Sequence, residues 1–91
     1  MKRRPEYSSR FKKEVRLAES RGKDLGKLWR LAGMLLDGLE LPLTYLDHPL
    51  KGNWVGYRDA HIESDWVLIY KIAGDTVRFE RTGRHSDLFS E

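Results

Sequence analysis

Apolar residues recur at helical spacing in the first third of the chain and at strand spacing in the second half. Phe11, Val15 and Ala18 stand four and three residues apart while Arg10, Lys12, Lys13 and Arg16 fill the rest of the circumference, which predicts a helix over about Ser9 to Ser20. Ser8 or Ser9 offers the hydroxyl that caps it, and Gly22 stops it. Asp24 caps a second, more apolar helix carrying Leu25, Leu28, Leu31, Ala32, Leu35, Leu36 and Leu39, with Gly38 at its end. The short connection makes the two helices antiparallel neighbours. Gly26 and Gly33 weaken the second helix by roughly 1 kcal/mol each relative to alanine, which a close helix contact at those positions would explain. Ahead of the helices, Lys2 to Ser8 reads as an edge strand, where Pro5 fits only with its missing N–H turned away from the ladder.

The helical period is lost between Leu41 and Lys51, where Pro42, Asp47, Pro49 and then Gly52 punctuate a stretch still rich in leucine and tyrosine. This predicts a structured loop. Asn53 to Ile62 then alternates, with Val55, Tyr57, Asp59 and His61 on one side. A turn at Glu63-Ser64 leads to Trp66 to Lys71, apolar on both faces as a central strand must be. Gly74-Asp75 turns the chain into Thr76 to Arg81, with Val77 and Phe79 facing the core. Two tight turns force an antiparallel meander. After Gly83 the tail is polar except for Leu88 and Phe89. The fold class is α+β: an N-terminal strand, an antiparallel helical hairpin, then a three-stranded antiparallel meander, all in one domain over residues 1–91.

Charge divides the chain as the pattern does. Met1 to Gly33 holds eleven Lys/Arg against four Asp/Glu, a balance of +7, and Met34 to Glu91 holds six against ten, a balance of −4. A basic half attracts phosphate backbones or an acidic protein partner, although a solvated helix surface accounts for the same residues. The chain has no cysteine, which excludes disulfides and thiolate metal sites. No segment approaches the ~20 apolar residues that span a bilayer, so export and membrane insertion are not expected and a cytoplasmic location is.

All three histidines lie in the acidic half, at element ends or in loops where distant residues can converge: His48 before the meander, His61 late in its first strand, His85 after its last. Histidine exchanges protons near neutrality, and Asp65 stands at the first turn. Taken singly, each of these histidines is explained as well by surface or packing. No closely spaced ligand pair supports zinc, and no nucleophile elbow surrounds Ser64, Ser86 or Ser90. Arg58, Arg78, Arg81 and Arg84 lie on or beside the meander, where a guanidinium can hold a phosphate. Trp54, Tyr57, Trp66 and Phe89 offer faces for unpaired bases, although Trp54 and Trp66 suit a core at least as well.

The phrases DHPL, GYRDAHIE, DWVLIYK and FERTGxHxxLF, set in LPLTYLDHPLKGNWVGYRDAHIESDWVLIYK and RFERTGRHSDLF, resemble the RelE/ParE superfamily of bacterial toxin-antitoxin toxins and, within it, the YafQ branch of ribosome-dependent mRNA endonucleases. The resemblance covers nearly the whole chain and is strongest from Leu41 to Phe89. It implies a RelE-like microbial RNase fold. It also implies attack of an RNA 2′-hydroxyl on the adjacent phosphate, with His48, His61, Asp65 and His85 at the acid–base positions and Phe89 as the C-terminal aromatic. On this basis His48 or His61 is expected as base, His85 as acid and Asp65 as the group tuning a histidine. Arg81 is expected on phosphate, Trp66 at a position linked to activity or to the shape of the site, and Trp66, Arg58 and Arg84 as further substrate contacts. No cofactor and no metal are implied. The implied partners are ribosomal RNA, held by Arg10, Lys12, Lys13, Arg16, Arg21, Lys23, Lys27 and Arg30, mRNA, and a cognate antitoxin forming a hetero-oligomer. The alternatives are a ParE-like gyrase inhibitor and an RNA-binding module, neither of which needs this histidine set.

Overall fold

The computed structural model describes residues 2–89. The chain runs as strand β1 (Arg4–Tyr7), helices α1 (Ser9–Ser20) and α2 (Leu25–Leu36), a two-residue strand β2 (His48–Pro49), strands β3 (Arg58–Glu63), β4 (Trp66–Ala73) and β5 (Thr76–Gly83), and a short helix α3 (His85–Phe89). The strands form one sheet in the order β1-β5-β4-β3-β2. The α+β class, the leading strand, the helix pair and the meander follow the predicted pattern.

Local chemistry sets the boundaries. Ser8 Oγ accepts from the Phe11 N–H at 2.9 Å, and Asp24 Oδ1 accepts from the Gly26 N–H at 2.9 Å, so both helices start on side-chain caps. The Ser8 hydroxyl also donates to the Glu80 carbonyl at 2.6 Å, tying the cap to β5. Gly22 and Gly38 end the helices at φ of +82° and +74°, the left-handed region that favours glycine. The glycines inside α2 do not mark a close helix contact: a Cβ on Gly33 meets nothing within 4 Å, and one on Gly26 would press on the cap carboxylate of Asp24 at 3.0 Å.

β1 runs parallel to β5, and the N–H groups of Arg4 and Ser8 donate to Asp75 and Phe79. Alternation therefore turns Pro5 outward. Where β1 ends, Glu14 of α1 takes over the edge of β5, accepting from the Thr82 N–H at 3.2 Å. The helices cover one face of the sheet, packing Phe11, Leu28, Leu31 and Leu35 against Leu68, Tyr70, Val77 and Phe79. On the opposite face Val67 and Ile69 lie under Leu88 of α3, with Leu50, Trp54, Tyr57 and Phe89 around them. Both faces of β4 are thus covered, and each fully buried large side chain contributes roughly 1.5–3 kcal/mol. Among the described residues no helix is long and apolar enough to cross a membrane.

Four predicted details differ. The first meander strand starts at Arg58, because Gly52–Trp54 closes a 3-10 turn and Gly56 takes φ +92°. The turn that follows it is Ser64-Asp65, since Glu63 still pairs with Trp66. The loop before it contains a 3-10 turn at Leu43–Tyr45 and β2, which extends the sheet. The polar tail forms α3, with the Arg84 carbonyl accepting from the N–H groups of Asp87 and Leu88.

Candidate active site

β2 pairs with β3 so that His48 stands opposite Asp59. His61, two residues further along β3, projects to the same face as Asp59. α3 begins at His85 immediately beyond β5. These three elements bring the histidines into a row: ring centroids lie 6.5 Å apart between His48 and His61, and 6.4 Å apart between His61 and His85. The row lies on the sheet face away from the helix pair. Phe89 stacks obliquely on His85 at 4.6 Å and meets Trp54 edge-on at 6.3 Å, so it fastens α3 to the sheet.

Asp59 anchors this row from beneath. It is fully buried, at 0% exposure, and its Oδ1 lies 3.0 Å from His48 Nδ1. The same nitrogen lies 2.8 Å from the Leu46 carbonyl. Only the Leu46 contact is aligned as a hydrogen bond, and neither Asp59 oxygen has an aligned donor. With an acceptor on each side, Nδ1 carries the hydrogen, which leaves the lone pair of a neutral His48 ring on Nε2. Leu46 reaches this geometry at φ +51°, a left-handed conformation that leucine seldom adopts. Burial pushes the Asp59 carboxyl above its ordinary range, and attraction to His48, His61 and His85 opposes that shift. Its charge is therefore compensated to the extent that a ring above it is protonated.

The other predicted residues are distributed differently. Asp65 is exposed in the turn and lines a small cavity with Arg21, Lys23, Trp66, Gly83 and Arg84, beside the segment leading to His85. Trp66 is buried, at 1% exposure, and donates from Nε1 to Thr82 Oγ1 at 2.9 Å, so its faces belong to the core and no base can stack there. Arg81 is turned to α1, where the Glu14 carboxylate takes its guanidinium at 2.7–3.0 Å and raises its pKa, so its charge is committed within the fold. Arg58 is likewise committed, to Asp47 at 3.0 Å, and Tyr70 donates to the same carboxylate. Arg84, half exposed, reaches only the exposed Asp87 at 3.2 Å and stays available beside His85. Among the described residues no three His, Asp or Glu side chains are grouped to hold a metal ion.

Asp59, the buried carboxylate beside His48, is a candidate that sequence reasoning passed over. The signal was present, since Tyr57, Asp59 and His61 share one strand face, and a carboxylate two residues from a histidine on a half-covered strand lies within reach of whatever that face binds.

A sheet with a helix pair on one side and a row of three histidines on the other has the architecture of the RelE-like toxin fold. The chain belongs to the family described as bacterial toxin of type II toxin-antitoxin system, YafQ, which matches residues 3–90. It is 54% identical over 85 residues to the mRNA interferase toxin YafQ of Escherichia coli strain K12, covering 92% of each chain. It superposes on the crystal structure of YafQ from E. coli BL21(DE3) with a TM-score of 0.93 at 52% identity, covering 97% of this chain and 99% of that one. The toxin in the crystal structure of the E. coli DinJ-YafQ complex gives 0.90 at 53% identity, with the same coverage.

Proposed function

We propose that this chain is a ribosome-dependent endoribonuclease that cuts mRNA by histidine acid–base catalysis and is neutralised in the cytoplasm by a cognate antitoxin. The observation that carries the reading is the row of three imidazoles over the buried carboxylate of Asp59. His48, with Nδ1 held between Leu46 and Asp59, takes the 2′-hydroxyl proton on Nε2. The 2′-oxygen then attacks phosphorus, the bond to the 5′-oxygen breaks, and His85 gives that oxygen a proton. The products are a 2′,3′-cyclic phosphate and a free 5′-hydroxyl. His61 sits between the two, where a protonated ring faces the phosphate oxygens as charge builds on them. Arg58 and Arg81 are held by Asp47 and Glu14, which leaves His61 and the exposed Arg84 for that task.

The ribosome supplies what this open face lacks. His48 and His85 are exposed and His61 half-buried, so the mRNA has to be held in register from outside, and the exposed Arg10, Lys12, Lys13 and Arg16 of α1 suit ribosomal RNA. Tyr7 and Trp29 are exposed beside Lys12 and Arg16, which fits an acidic, amphipathic antitoxin segment and a toxin-antitoxin hetero-oligomer. The likeness to a toxin crystallised with DinJ supports that partner.

The test is mRNA cleavage on programmed ribosomes, wild type against His85→Ala, with the cut ends mapped. The expected result is cuts with 5′-hydroxyl ends, reduced at least about a hundredfold by the substitution, with ribosome binding retained. Wild-type protein that binds ribosomes and cuts nothing would overturn the reading.

A further inference from the structure

We propose that Arg30, Tyr45 and Thr44 form a second nucleotide subsite beside His61, which holds the residue flanking the scissile bond and gives the cut its sequence preference. The proposal rests on the RNA-cutting reading above. β2 pairs only with Arg58 and Asp59, so the edge of β3 from Ala60 onward is free of a strand neighbour on that side. At this gap a groove of about 230 Å³ opens, lined by Lys27, Arg30, Thr44, Tyr45, His61 and Ile62. It leads from the central histidine round the sheet edge to α2. A strand of RNA whose phosphate sits on the histidine row has its neighbouring nucleotide directed into or along this groove.

Charge singles out Arg30. Near the groove and along β3 and β5, Lys23 and Lys27 share Glu63, Arg58 faces Asp47, Arg78 faces Glu80 and Arg81 faces Glu14. Arg30 is exposed, joins none of the ion pairs found among the described residues, and lines a cavity that contains a histidine of the row. A guanidinium placed there is free to take a phosphate through paired N–H bonds. Lys27 stands one turn before it on the same helix face, and both Lys27 and Lys23 reach Glu63 at 3.0 Å, holding its carboxyl below the usual range. Lys23 and Lys27 share the single negative charge of Glu63, so Lys27 is partly compensated, and Arg30 is the groove's cation without a carboxylate partner among the described residues. Tyr45 is half-buried: part of it packs on the helix-side core while the remainder lines the groove. That mounting gives a rigid aromatic surface on which a splayed-out base can stack. The Thr44 hydroxyl, which both donates and accepts, sits beside it and can read a base edge.

The experiment measures cleavage of a codon-randomised mRNA on programmed ribosomes together with ribosome co-sedimentation, for wild type, Arg30→Ala, Tyr45→Ala and Tyr45→Phe. Arg30→Ala is expected to weaken half-maximal cleavage about tenfold and to lower its salt dependence by about one unit of slope, with co-sedimentation unchanged. Tyr45→Ala is expected to cost about fivefold or more and to flatten the base preference next to the cut, while Tyr45→Phe keeps both. Because Tyr45 also packs on the core, the exposed Arg30 site decides if Tyr45→Ala fails to fold. Unchanged cleavage by Arg30→Ala, or a loss that follows reduced co-sedimentation, overturns the subsite while leaving the nuclease reading intact. Absence of cleavage by wild type overturns both.

Discussion

Replacing Asp59 with asparagine should stabilise the fold and slow the reaction at once. Asp59 is fully buried and neither of its oxygens has an aligned donor, and a buried polar group left without its hydrogen bond costs about 1–3 kcal/mol, more when charged. Asp59→Asn preserves the shape and removes the charge. It still buries an amide, so the expected gain is about 1 kcal/mol at pH 8, or a rise of about 4–8 °C in Tm for a domain of this size. The gain depends on pH. Burial raises the Asp59 carboxyl above its ordinary value of 3.8, so between that value and the raised one the folded protein keeps a proton that the unfolded chain has lost. Wild-type stability therefore falls as pH rises through that window, and the variant lacks this slope. Urea unfolding from pH 4 to pH 8 should show the two proteins nearly equal at the acid end and the variant ahead at the alkaline end. Cleavage should fall about 10- to 100-fold, because His48 loses the charge that supports its proton uptake. A variant less stable than wild type at pH 8, or one whose advantage does not grow with pH, would refute this reading of Asp59.

Arg81→Ala should destabilise the fold by about 1–3 kcal/mol, since it strips the guanidinium from the mostly buried Glu14, while cleavage per folded molecule, measured at a temperature well below the transition, stays within about twofold of wild type. Gly33→Ala should stabilise by about 0.5–1 kcal/mol in thermal or urea unfolding, because the added Cβ meets open space inside a helix. A loss of stability there would mean that α2 needs the glycine for a reason other than space.

The helices were legible because caps, stripes and terminal glycines are local: Ser8, Asp24, Gly22 and Gly38 act within a turn of where they stand. The central strand was legible because Trp66 to Tyr70 is apolar on both faces. What escaped was set by pairing between distant segments. β2 is two residues with no pattern of its own and exists because His48 and Pro49 meet Asp59 and Arg58. α3 is held by Leu88 and Phe89 packing on Val67, Ile69 and Trp54, contacts that no local period announces. The same limit governed the site. Residue type pointed to the three histidines, and they do converge. Side-chain commitment could not be read from type: Arg81 and Trp66 look like substrate contacts until Glu14 and Thr82 are brought beside them. Asp59 was outshone by Asp65, which sits in a visible turn, although only strand pairing decides which aspartate lies under an imidazole.

The most direct test of attack by a 2′-hydroxyl is a single 2′-deoxy substitution at the mapped cut site of an mRNA on programmed ribosomes. Loss of cleavage at that bond, with 5′-hydroxyl ends persisting at unmodified sites, is the expected result. Cleavage that continues through the deoxy residue, or that leaves 5′-phosphate ends, would contradict the histidine acid–base mechanism.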